Sequence, residues 1–405
     1  MNKKAVFTIC SKNYLGQAMA LRKSFLEFHS DVDFFLVLMD KKEHAYVPES
    51  FEKSEVLWAE DLPIKDYWKN ALKFDIIEWS TNVKPFAAQM LLEKYEKVLY
   101  LDPDLYFYRN IEWIFQELDH HSMVVTPHAT QAPNDDLPQG DLEWMRVGTF
   151  NLGFIGLKSN AETRSFLSWW GSRSLSDGYA DTSRGIFVDQ KWVTLAVGFY
   201  PGIKILFNKG INVATWNFHE RSLASNSQGE MVFEDGSPLY FFHFSGFDYQ
   251  DPDRFSKRQT RWVKGSRPDL EKFAFEYKKE LENNRFMERI STPYTNDFFE
   301  NGVYITPLAR RVYANLIDRF PESNPFSEAS SAYQFLSKNG LVNRKIGATK
   351  RLNATDVSKY SGYIRIIDKA LWMAFKILGP IRYYNLMRYA AHITSLKEQR
   401  NVFDK

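Results

Sequence analysis

The sequence has one cysteine, Cys10, in 405 residues. An internal disulfide is therefore excluded, and with it the class of small secreted proteins that depend on disulfides for stability. The sequence also lacks an apolar run near the roughly 18–20 residues that cross a bilayer. Its first apolar run, Ala5–Cys10, is too short for the hydrophobic region of a secretory signal peptide. We therefore expect a cytoplasmic protein, with any membrane contact peripheral and on the inner face.

Core-forming residues are plentiful, since 44% of the chain is hydrophobic and 16% aromatic. This composition excludes an intrinsically disordered chain. The net charge of +2 conceals an asymmetry: residues 1–250 hold 24 Lys and Arg against 33 Asp and Glu, whereas 251–405 hold 28 against 17. The change of sign predicts two domains, 1–250 and 251–405, of which the second is basic and mainly helical.

Apolar runs alternate with helical periodicity at the start of the chain. Ala5–Cys10 and Phe34–Met39 are typical of buried strands, and apolar residues recur at helical spacing from Tyr14 to His29. A strand, a helix and a strand at these intervals indicate a parallel βαβ unit, so we predict the α/β class. Three further predicted elements are a helix over Val83–Tyr95, a strand over Asn151–Leu157 and a hairpin over Met231–Phe244. Together with Asn212–Phe218, the hairpin is expected to close the domain.

Two carboxylates follow the most clearly predicted buried strand, Val98–Leu101. The strand must stop at Asp102-Pro103-Asp104, because proline cannot donate to a sheet ladder. Extended Asp-x-Asp directs both side chains to one side, at the strand end where open α/β sheets bind ligands. Two carboxylates held so close favour a cation between them. The alternative is a solvated turn that caps a helix at Ile111.

Seven motifs occur in order over roughly residues 5–250: FTICSKNY, KPF, DPD, NLGFIGL, FVDQKW, ATWNF and FFHFSGF. With this order and spacing the chain resembles the nucleotide-sugar glycosyltransferases of the GT-A fold. The likeness is strongest to the family 8 type, which includes glycogenin and lipopolysaccharide galactosyltransferases. The resemblance implies a Rossmann-like catalytic domain over 1–250, with a mostly parallel central sheet flanked by helices.

The resemblance also implies a metal site. In the family, the strand-end Asp-x-Asp supplies two ligands to a Mn²⁺ or Mg²⁺ that binds the donor diphosphate, and a histidine in an HxxG context supplies the third. The matching residues are Asp102, Asp104 and His243. The imidazole tilts the choice of cofactor towards Mn²⁺. The alternative for His243 is a histidine packed in the core among aromatic residues.

Donor contacts carried over from the family fall at the ends of the first two strands. By position these are Ser11, Asn13, Tyr14 and Asp40, which would contact the base and ribose. Turn formation or helix capping explains the same residue types equally well. Lys84 begins a predicted helix, where a cation is unfavourable unless it meets an anionic ligand. The family has a basic residue here that reaches the donor nucleotide, and the resemblance assigns this role to Lys84. The alternative is a solvent-exposed lysine.

The resemblance places Asp189 and Gln190 beside the transferred sugar, and it implies transfer with retention of configuration. Helix capping is the alternative for both residues. The long polar segment His128–Thr149, which contains Trp144, falls where the family has acceptor-binding or lid segments.

The chain departs from the family after HxxG. Close members have Lys-Pro-Trp there, and the lysine binds a phosphate of the donor. This chain has Phe247–Gln250 instead, and the possible substitutes Arg254, Lys257 and Arg258 remain open.

We therefore expect a metal-dependent hexosyltransferase that uses a nucleotide-diphosphate sugar, with UDP as the nucleotide, and a glycan or lipid-linked acceptor. One alternative is a non-catalytic carbohydrate-binding relative, which the presence of all three expected ligands disfavours. The other is a sugar nucleotidyltransferase, which would need a glycine-rich phosphate loop near the N-terminus. The corresponding segment, Ser11–Gln17, has one glycine.

The C-terminal region carries a basic segment. Residues 338–391 hold 11 Lys and Arg against two aspartates. Within Tyr360–Leu378, three of these cations share one side of a predicted helix whose other side is apolar and aromatic. This pattern is typical of a segment that lies on an anionic membrane. The alternative is a helix packed on the domain, and no motif accompanies the charge to indicate nucleic acid.

Overall fold

The computed structural model describes residues 3–42, 47–343 and 361–395. Their packing forms two units. The first comprises the residues up to Asn296 other than Trp68–Asp75, and the second comprises Trp68–Asp75 with the residues from Asp297 onward. The predicted domain boundary at residue 250 stays a prediction. Residues 344–360, inside the predicted basic segment, lie outside the described residues.

The strands are short except at the centre of the first unit. In chain order they are β1 (Lys4–Cys10), β2 (Asp33–Leu38), β3 (Val56–Trp58), β4 (Lys97–Leu101), β5 (Leu105–Phe107), β6 (Met123–Pro127), β7 (Phe150–Lys158), β8 (Ala180–Asp181), β9 (Ile186–Phe187), β10 (Ile203–Ile205), β11 (Ala224–Ser225), β12 (Met231–Val232), β13 (Phe241–His243), β14 (Tyr304–Ile305) and β15 (Val342–Asn343).

The helices surround these strands and fill the second unit. They are α1 (Leu15–Leu26), α2 (Tyr67–Lys73), α3 (Ile76–Asn82), α4 (Lys84–Leu92), α5 (Glu112–His120), α6 (Asp141–Val147), α7 (Ala161–Asp177), α8 (Gln190–Phe199), α9 (Pro268–Asn283), α10 (Phe286–Arg289), α11 (Pro307–Asn315), α12 (Ser331–Lys338) and α13 (Ser361–Ile393).

Seven strands form the central sheet in the order β10-β6-β7-β4-β1-β2-β3. Every neighbouring pair is parallel except the two that involve β7, which runs antiparallel to β4 and β6. β1, β4 and β6 are almost continuous apolar runs because the sheet interior is covered on both faces. The predicted α/β class, with a mostly parallel sheet flanked by helices, is confirmed.

The predicted hairpin over Met231–Phe244 forms only around its turn, where Val232 bridges Pro238 antiparallel and the N–H of Phe233 donates to the carbonyl of Ser237 over 2.8 Å. Residues Met231–Val232 pair with Ala224–Ser225, whereas Phe241–His243 pairs antiparallel with β5. This pairing puts His243 opposite Leu105, next to the predicted acidic motif. The core prefers it because Phe241 then stacks on Phe107 at 4.9 Å between ring centroids.

The segment Asn212–Phe218 is not a regular strand. Its ladder contact is a single bridge from Val213 to Phe242, and the segment ends in a 3₁₀ turn at Phe218–Glu220. Asn212 has a positive φ of 51°. Such a residue turns the chain sharply, and asparagine tolerates this conformation better than most residues.

The second unit is mainly helical in its described part, as predicted for the C-terminal region. α13 is broken at Gly379, whose φ of 73° is not helical, because Pro380 follows it. Among the described residues, no helix combines the length and apolar character needed to cross a membrane.

Candidate active site

Asp102 and Asp104 lie at the carboxyl end of β4, where the sequence predicts them. The N–H of Asp102 donates to the carbonyl of Gly153 on β7 over 2.7 Å, and this bond ends the ladder. The N–H of Leu105 then donates to the carbonyl of Asp102 over 3.1 Å, which closes a turn around Pro103. Both carboxylates thereby face the edge of the sheet and remain partly exposed, at 28% and 17% of their side chains.

Neither aspartate caps the helix α5, which was the alternative role for the acidic motif. The side chain that accepts a hydrogen bond at the start of α5 belongs to Asn110. The N–H of Glu112 donates to the side-chain oxygen of Asn110 over 2.7 Å. The two acidic side chains are therefore directed elsewhere.

The structure brings the three expected metal ligands together. The Nε2 atom of His243 lies 3.1 Å from Oδ1 of Asp104 and 3.7 Å from Oδ2 of Asp102. One ligand atom from each residue fits within 4.8 Å of the others. Burial acts to raise the pKa of Asp104, but His243 and then Arg258 outweigh it and hold that pKa below its ordinary value. Two oxygens and one nitrogen in this arrangement suit a divalent cation.

His243 is oriented by Asn212, a residue that the sequence motifs did not single out. Nδ1 of His243 lies 3.0 Å from the side-chain oxygen of Asn212. The amide nitrogen of Asn212 donates in turn to Thr126 over 2.8 Å and to Asn151 over 3.1 Å. Because both amide hydrogens are used, the amide oxygen must accept from Nδ1. The Nε2 atom of His243 is thereby placed on the side of the carboxylates, where it can bind a metal ion.

Gly153 makes the space for this cluster. A Cβ atom at this position would lie 2.4 Å from Cε1 of His243 and 2.9 Å from Oδ2 of Asp102. The sequence indicates close backbone approach at the glycines of NLGFIGL. It could not identify what approaches, because His243 is distant in the chain.

Lys84 lies buried between two carboxylates. Its Nζ atom is 2.7 Å from Oδ2 of Asp189, 3.7 Å from Oδ1 of Asp102 and 2.9 Å from the carbonyl of Leu152. Only 3% of Lys84 and 1% of Asp189 is exposed. Burial raises the pKa of Asp189, and Lys84 opposes the rise. The solvent-exposed alternative for Lys84 is therefore wrong, and the Asp189 side chain meets an ammonium group rather than the first turn of α8.

Gln190 connects to the histidine through Asn151. Its side-chain oxygen accepts from the Asn151 amide over 3.4 Å, and its amide nitrogen donates to the carbonyl of Val147 over 3.2 Å. It lines a cavity of about 280 Å³ whose walls are partly aromatic. The other lining residues are His128, Gln139, Glu143, Trp144, Val147, Asn151, Phe187, Thr215, Trp216, Ser245, Ser256 and Arg258.

The remaining expected donor residues form two groups. Ser11 contacts Asn13, with 2.5 Å between their side-chain oxygens. The Asp40 carboxylate accepts from the backbone N–H of Lys12 over 2.8 Å and of Thr295 over 3.2 Å, and burial raises its pKa. These contacts agree with the turn-forming alternative for Ser11, Asn13 and Asp40.

Tyr14 belongs with the acidic cluster. Burial raises its pKa, the charge of Asp104 raises it further, and Arg258 opposes both. Tyr14, Asp104 and Arg258 are thus within electrostatic range of one another.

Of the three basic residues left open by the sequence, Arg258 faces the site. It lines the cavity with Gln190, and its charge acts on Asp104. Arg254 is instead paired with Asp248 at 3.8 Å. Gly246, at a φ of 64°, gives Arg258 room, since a Cβ there would lie 2.9 Å from its side chain. The Gly246 carbonyl also fixes the backbone of Lys257 through a 2.9 Å bond.

An α/β unit with two strand-end aspartates, an oriented histidine and an adjoining cavity defines a candidate metal-assisted active site. No family model matches the chain. Two Bacillus subtilis (strain 168) proteins do, and both are described as uncharacterized. YfnF is 30% identical over 257 residues, which are 60% of this chain and 81% of YfnF. YfnD is 25% identical over 248 residues, which are 59% of this chain and 76% of YfnD.

The chain belongs to the family of YfnF. Among solved structures it is similar to the galactosyltransferase LgtC in complex with donor and acceptor sugar analogues. The two share 14% identity over 71% of this chain and 97% of LgtC, with a TM-score of 0.40.

Proposed function

We propose that the protein is a metal-dependent glycosyltransferase that moves a hexosyl unit from a nucleotide-diphosphate sugar, with UDP as the nucleotide, to a glycan or lipid-linked acceptor. The observation that carries the proposal is the cluster of Asp102, Asp104 and His243 at the carboxyl edge of the sheet. The motif resemblance supports the same class of reaction.

The residues present fit a Mn²⁺ or Mg²⁺ ion. Asp102 and Asp104 would provide oxygen ligands, and Asn212 fixes His243 so that its free nitrogen is on the side of the carboxylates. When bound, a divalent cation supplies Lewis-acid neutralisation of the charge that develops on the departing diphosphate. Arg258 would add hydrogen-bond donors to the same phosphates, in place of the lysine that the family has after HxxG.

Gln190 and Asp189 are proposed to act on the sugar. The Gln190 amide lines the cavity beside the cluster, where it can orient the sugar ring and favour positive character at the anomeric carbon. Asp189 is one residue away and pairs with Lys84, which in turn lies 3.7 Å from Asp102. We infer that these three charged residues fix the position of Asp189, which would face the sugar, relative to Asp102, which would face the diphosphate. Retention of configuration remains part of the proposal.

The cavity is proposed to take the acceptor. Trp144 and Trp216 line it together with polar side chains, including those of Gln139 and Glu143. Aromatic faces with a few polar groups suit a sugar ring, which presents apolar C–H faces and a polar rim.

The test is nucleotide release from UDP-, GDP- and dTDP-sugars, each with Mn²⁺, Mg²⁺ or excess EDTA. We expect release from a UDP-sugar that needs the metal. Asp104→Ala should lower it by orders of magnitude at about 1.4 kcal/mol per decade, because a ligand to the bridging charge is lost. Asp31→Ala, at an exposed carboxylate, is the control.

Unchanged activity in excess EDTA would contradict the metal-dependent mechanism. Nucleotide release from none of the three donor classes, by a folded protein that still binds sugars, would favour the non-catalytic alternative.

A further inference from the structure

α13 exposes an unusual number of large apolar side chains on the surface. Ile366 is 66% exposed, Ile377 is 82% exposed and Trp372 is 61% exposed. The other large apolar residues of this helix with substantial exposure are Ile367, Met373, Phe375, Ile381, Tyr384, Leu386 and Tyr389. Monomeric soluble proteins rarely expose this many large apolar side chains on one helix, and a contiguous exposed apolar patch marks an interaction site.

The first half of the helix has its exposed apolar residues beside its cations. At 100° per residue, Arg365, Lys369 and Lys376 fall within about 40° of one another. Met373, Ile366 and Ile377 occupy the next 40° or so around the helix. We call these six residues the basic-apolar strip. Positive and apolar groups can therefore meet one flat surface together, since the long stems of lysine and arginine reach past the apolar side chains.

The opposite side of this half has mixed exposure. Ile364, Leu371, Ala374 and Leu378 are half-buried and lie far from the strip on the helix. Ile367, on the same side, is 56% exposed, so the strip is distinguished by its cations and not by exposure alone.

The second half repeats the pattern after the break at Gly379. Tyr384, Arg388 and Ile381 fall within about 60° of one another, and all three are exposed. The guanidinium of Arg388 lies 5.9 Å from the ring centre of Tyr384. Tyrosine and tryptophan beside cations are the residues that occupy the headgroup level of a bilayer.

The excess of basic residues in α13 favours an anionic partner. Over Ser361–Ile393 the sequence has five Lys and Arg and one acid, Asp368. Each basic residue gains about 1 kcal/mol near an anionic leaflet. A second copy of the same helix would place these cations against each other, so self-association is disfavoured.

We propose that α13 docks the protein on an anionic lipid surface, with the basic-apolar strip in the headgroup region. The proposal is independent of the glycosyltransferase function, because vesicle binding is measured without donor or metal. If both hold, docking would bring the protein to a membrane that carries a lipid-linked acceptor.

The experiment is co-sedimentation of the full chain with vesicles of phosphatidylcholine alone, or of phosphatidylcholine with 30% phosphatidylglycerol. We expect the wild type to bind the anionic vesicles at least tenfold better than the neutral ones. Raising the NaCl concentration from 50 to 500 mM should weaken this binding, since exposed charges are screened.

Two variants test the strip. Arg365→Gln/Lys369→Gln/Lys376→Gln should bind anionic vesicles about a hundredfold more weakly, since each cation contributes a factor of about five. Ile366→Ser/Met373→Ser/Ile377→Ser should also lose binding while it keeps the charge. All six side chains are exposed, so thermal unfolding should be unchanged.

The matched control is Arg164→Gln/Arg173→Gln/Lys279→Gln, which removes the same charge from exposed positions on α7 and α9. It should bind as the wild type does. Equal binding to neutral vesicles, absence of binding to anionic ones, or equal loss in the control would overturn the proposal. A wild type that is dimeric at micromolar concentration, becomes monomeric in the serine variant and ignores vesicles would assign the strip to self-association instead.

Discussion

The ammonium of Lys84 lies 2.7 Å from the carboxylate of Asp189, and both side chains are almost fully buried. Two oppositely charged groups removed from water depend on each other, because either one alone would be an uncompensated buried charge. Lys84 begins α4 and Asp189 precedes α8, so the pair also joins the starts of two helices that are distant in the sequence.

Lys84→Met should therefore destabilise the fold strongly. Methionine keeps most of the volume but leaves the Asp189 carboxylate without its partner, and breaking a buried pair in this way costs about 3–5 kcal/mol. The measurement is the free energy of unfolding in urea. The double variant Lys84→Met/Asp189→Asn should recover a large part of the loss, since no buried charge remains. A single variant as stable as the wild type would show that the pair is not coupled.

The sequence predicted the acidic motif well because the information is local. An apolar run that stops at Pro103 fixes where β4 ends, and the spacing of Asp102 and Asp104 fixes their common side. The pairing of β13 could not be predicted in the same way. Asp235-Gly236 is a good hairpin turn, yet β13 finds its partner at Leu105–Phe107, more than 130 residues earlier.

The hydrogen-bond partners of individual polar residues could not be predicted from the neighbouring sequence either. A lysine at a helix start looks exposed or ligand-bound in the sequence, and its actual partner is Asp189. Asn212 has a role that needs three other residues to define it, namely His243, Thr126 and Asn151. Non-local contacts of this kind leave no periodic pattern in the chain.

Gly153→Ala should disrupt the metal cluster selectively. Its Cβ would clash with His243 and Asp102, so we expect at least a tenfold loss of Mn²⁺ affinity, measured by calorimetry, together with loss of activity.

Gly156→Ala is the matched control on the same strand. Its Cβ would clash with Val124 and Leu99 in the core, at 2.5 and 2.8 Å. It should lower stability by about 1–3 kcal/mol, as overpacking does, without a direct effect on metal affinity. Equal loss of Mn²⁺ binding in both variants would mean that general destabilisation explains the result for Gly153.

Gln190→Ala should lower kcat more than it weakens donor binding. An amide that favours positive character at the anomeric carbon contributes most as that charge develops, so its loss appears mainly in the chemical step. The measurements are single-turnover rates and the donor Kd. Thr194→Ala, on the same helix and bonded to the backbone carbonyl of Gln190, is the control. A larger change in Kd than in kcat would assign Gln190 to ground-state binding.

NMR of the product's anomeric configuration tests retention separately. We expect the product to keep the configuration of the donor. An inverted product would contradict a retaining role for Asp189 and Gln190.

His128 should make stability fall on acidification. Burial lowers its pKa to about 4, against an ordinary value of 6.5, and the bond from its Nδ1 atom to the carbonyl of Thr149 only partly opposes this. Between these two values the unfolded chain binds a proton that the folded chain does not. The free energy of unfolding should therefore decrease by about 1.4 kcal/mol per pH unit as the pH falls from about 6.5 towards 4.

His128→Gln lacks the titrating group, so its stability, measured by urea unfolding between pH 7 and pH 4.5, should decline less steeply than that of the wild type. Parallel pH profiles for the two proteins would show that His128 titrates alike in both states. His121→Gln, at a half-exposed histidine, should leave the wild-type slope in place.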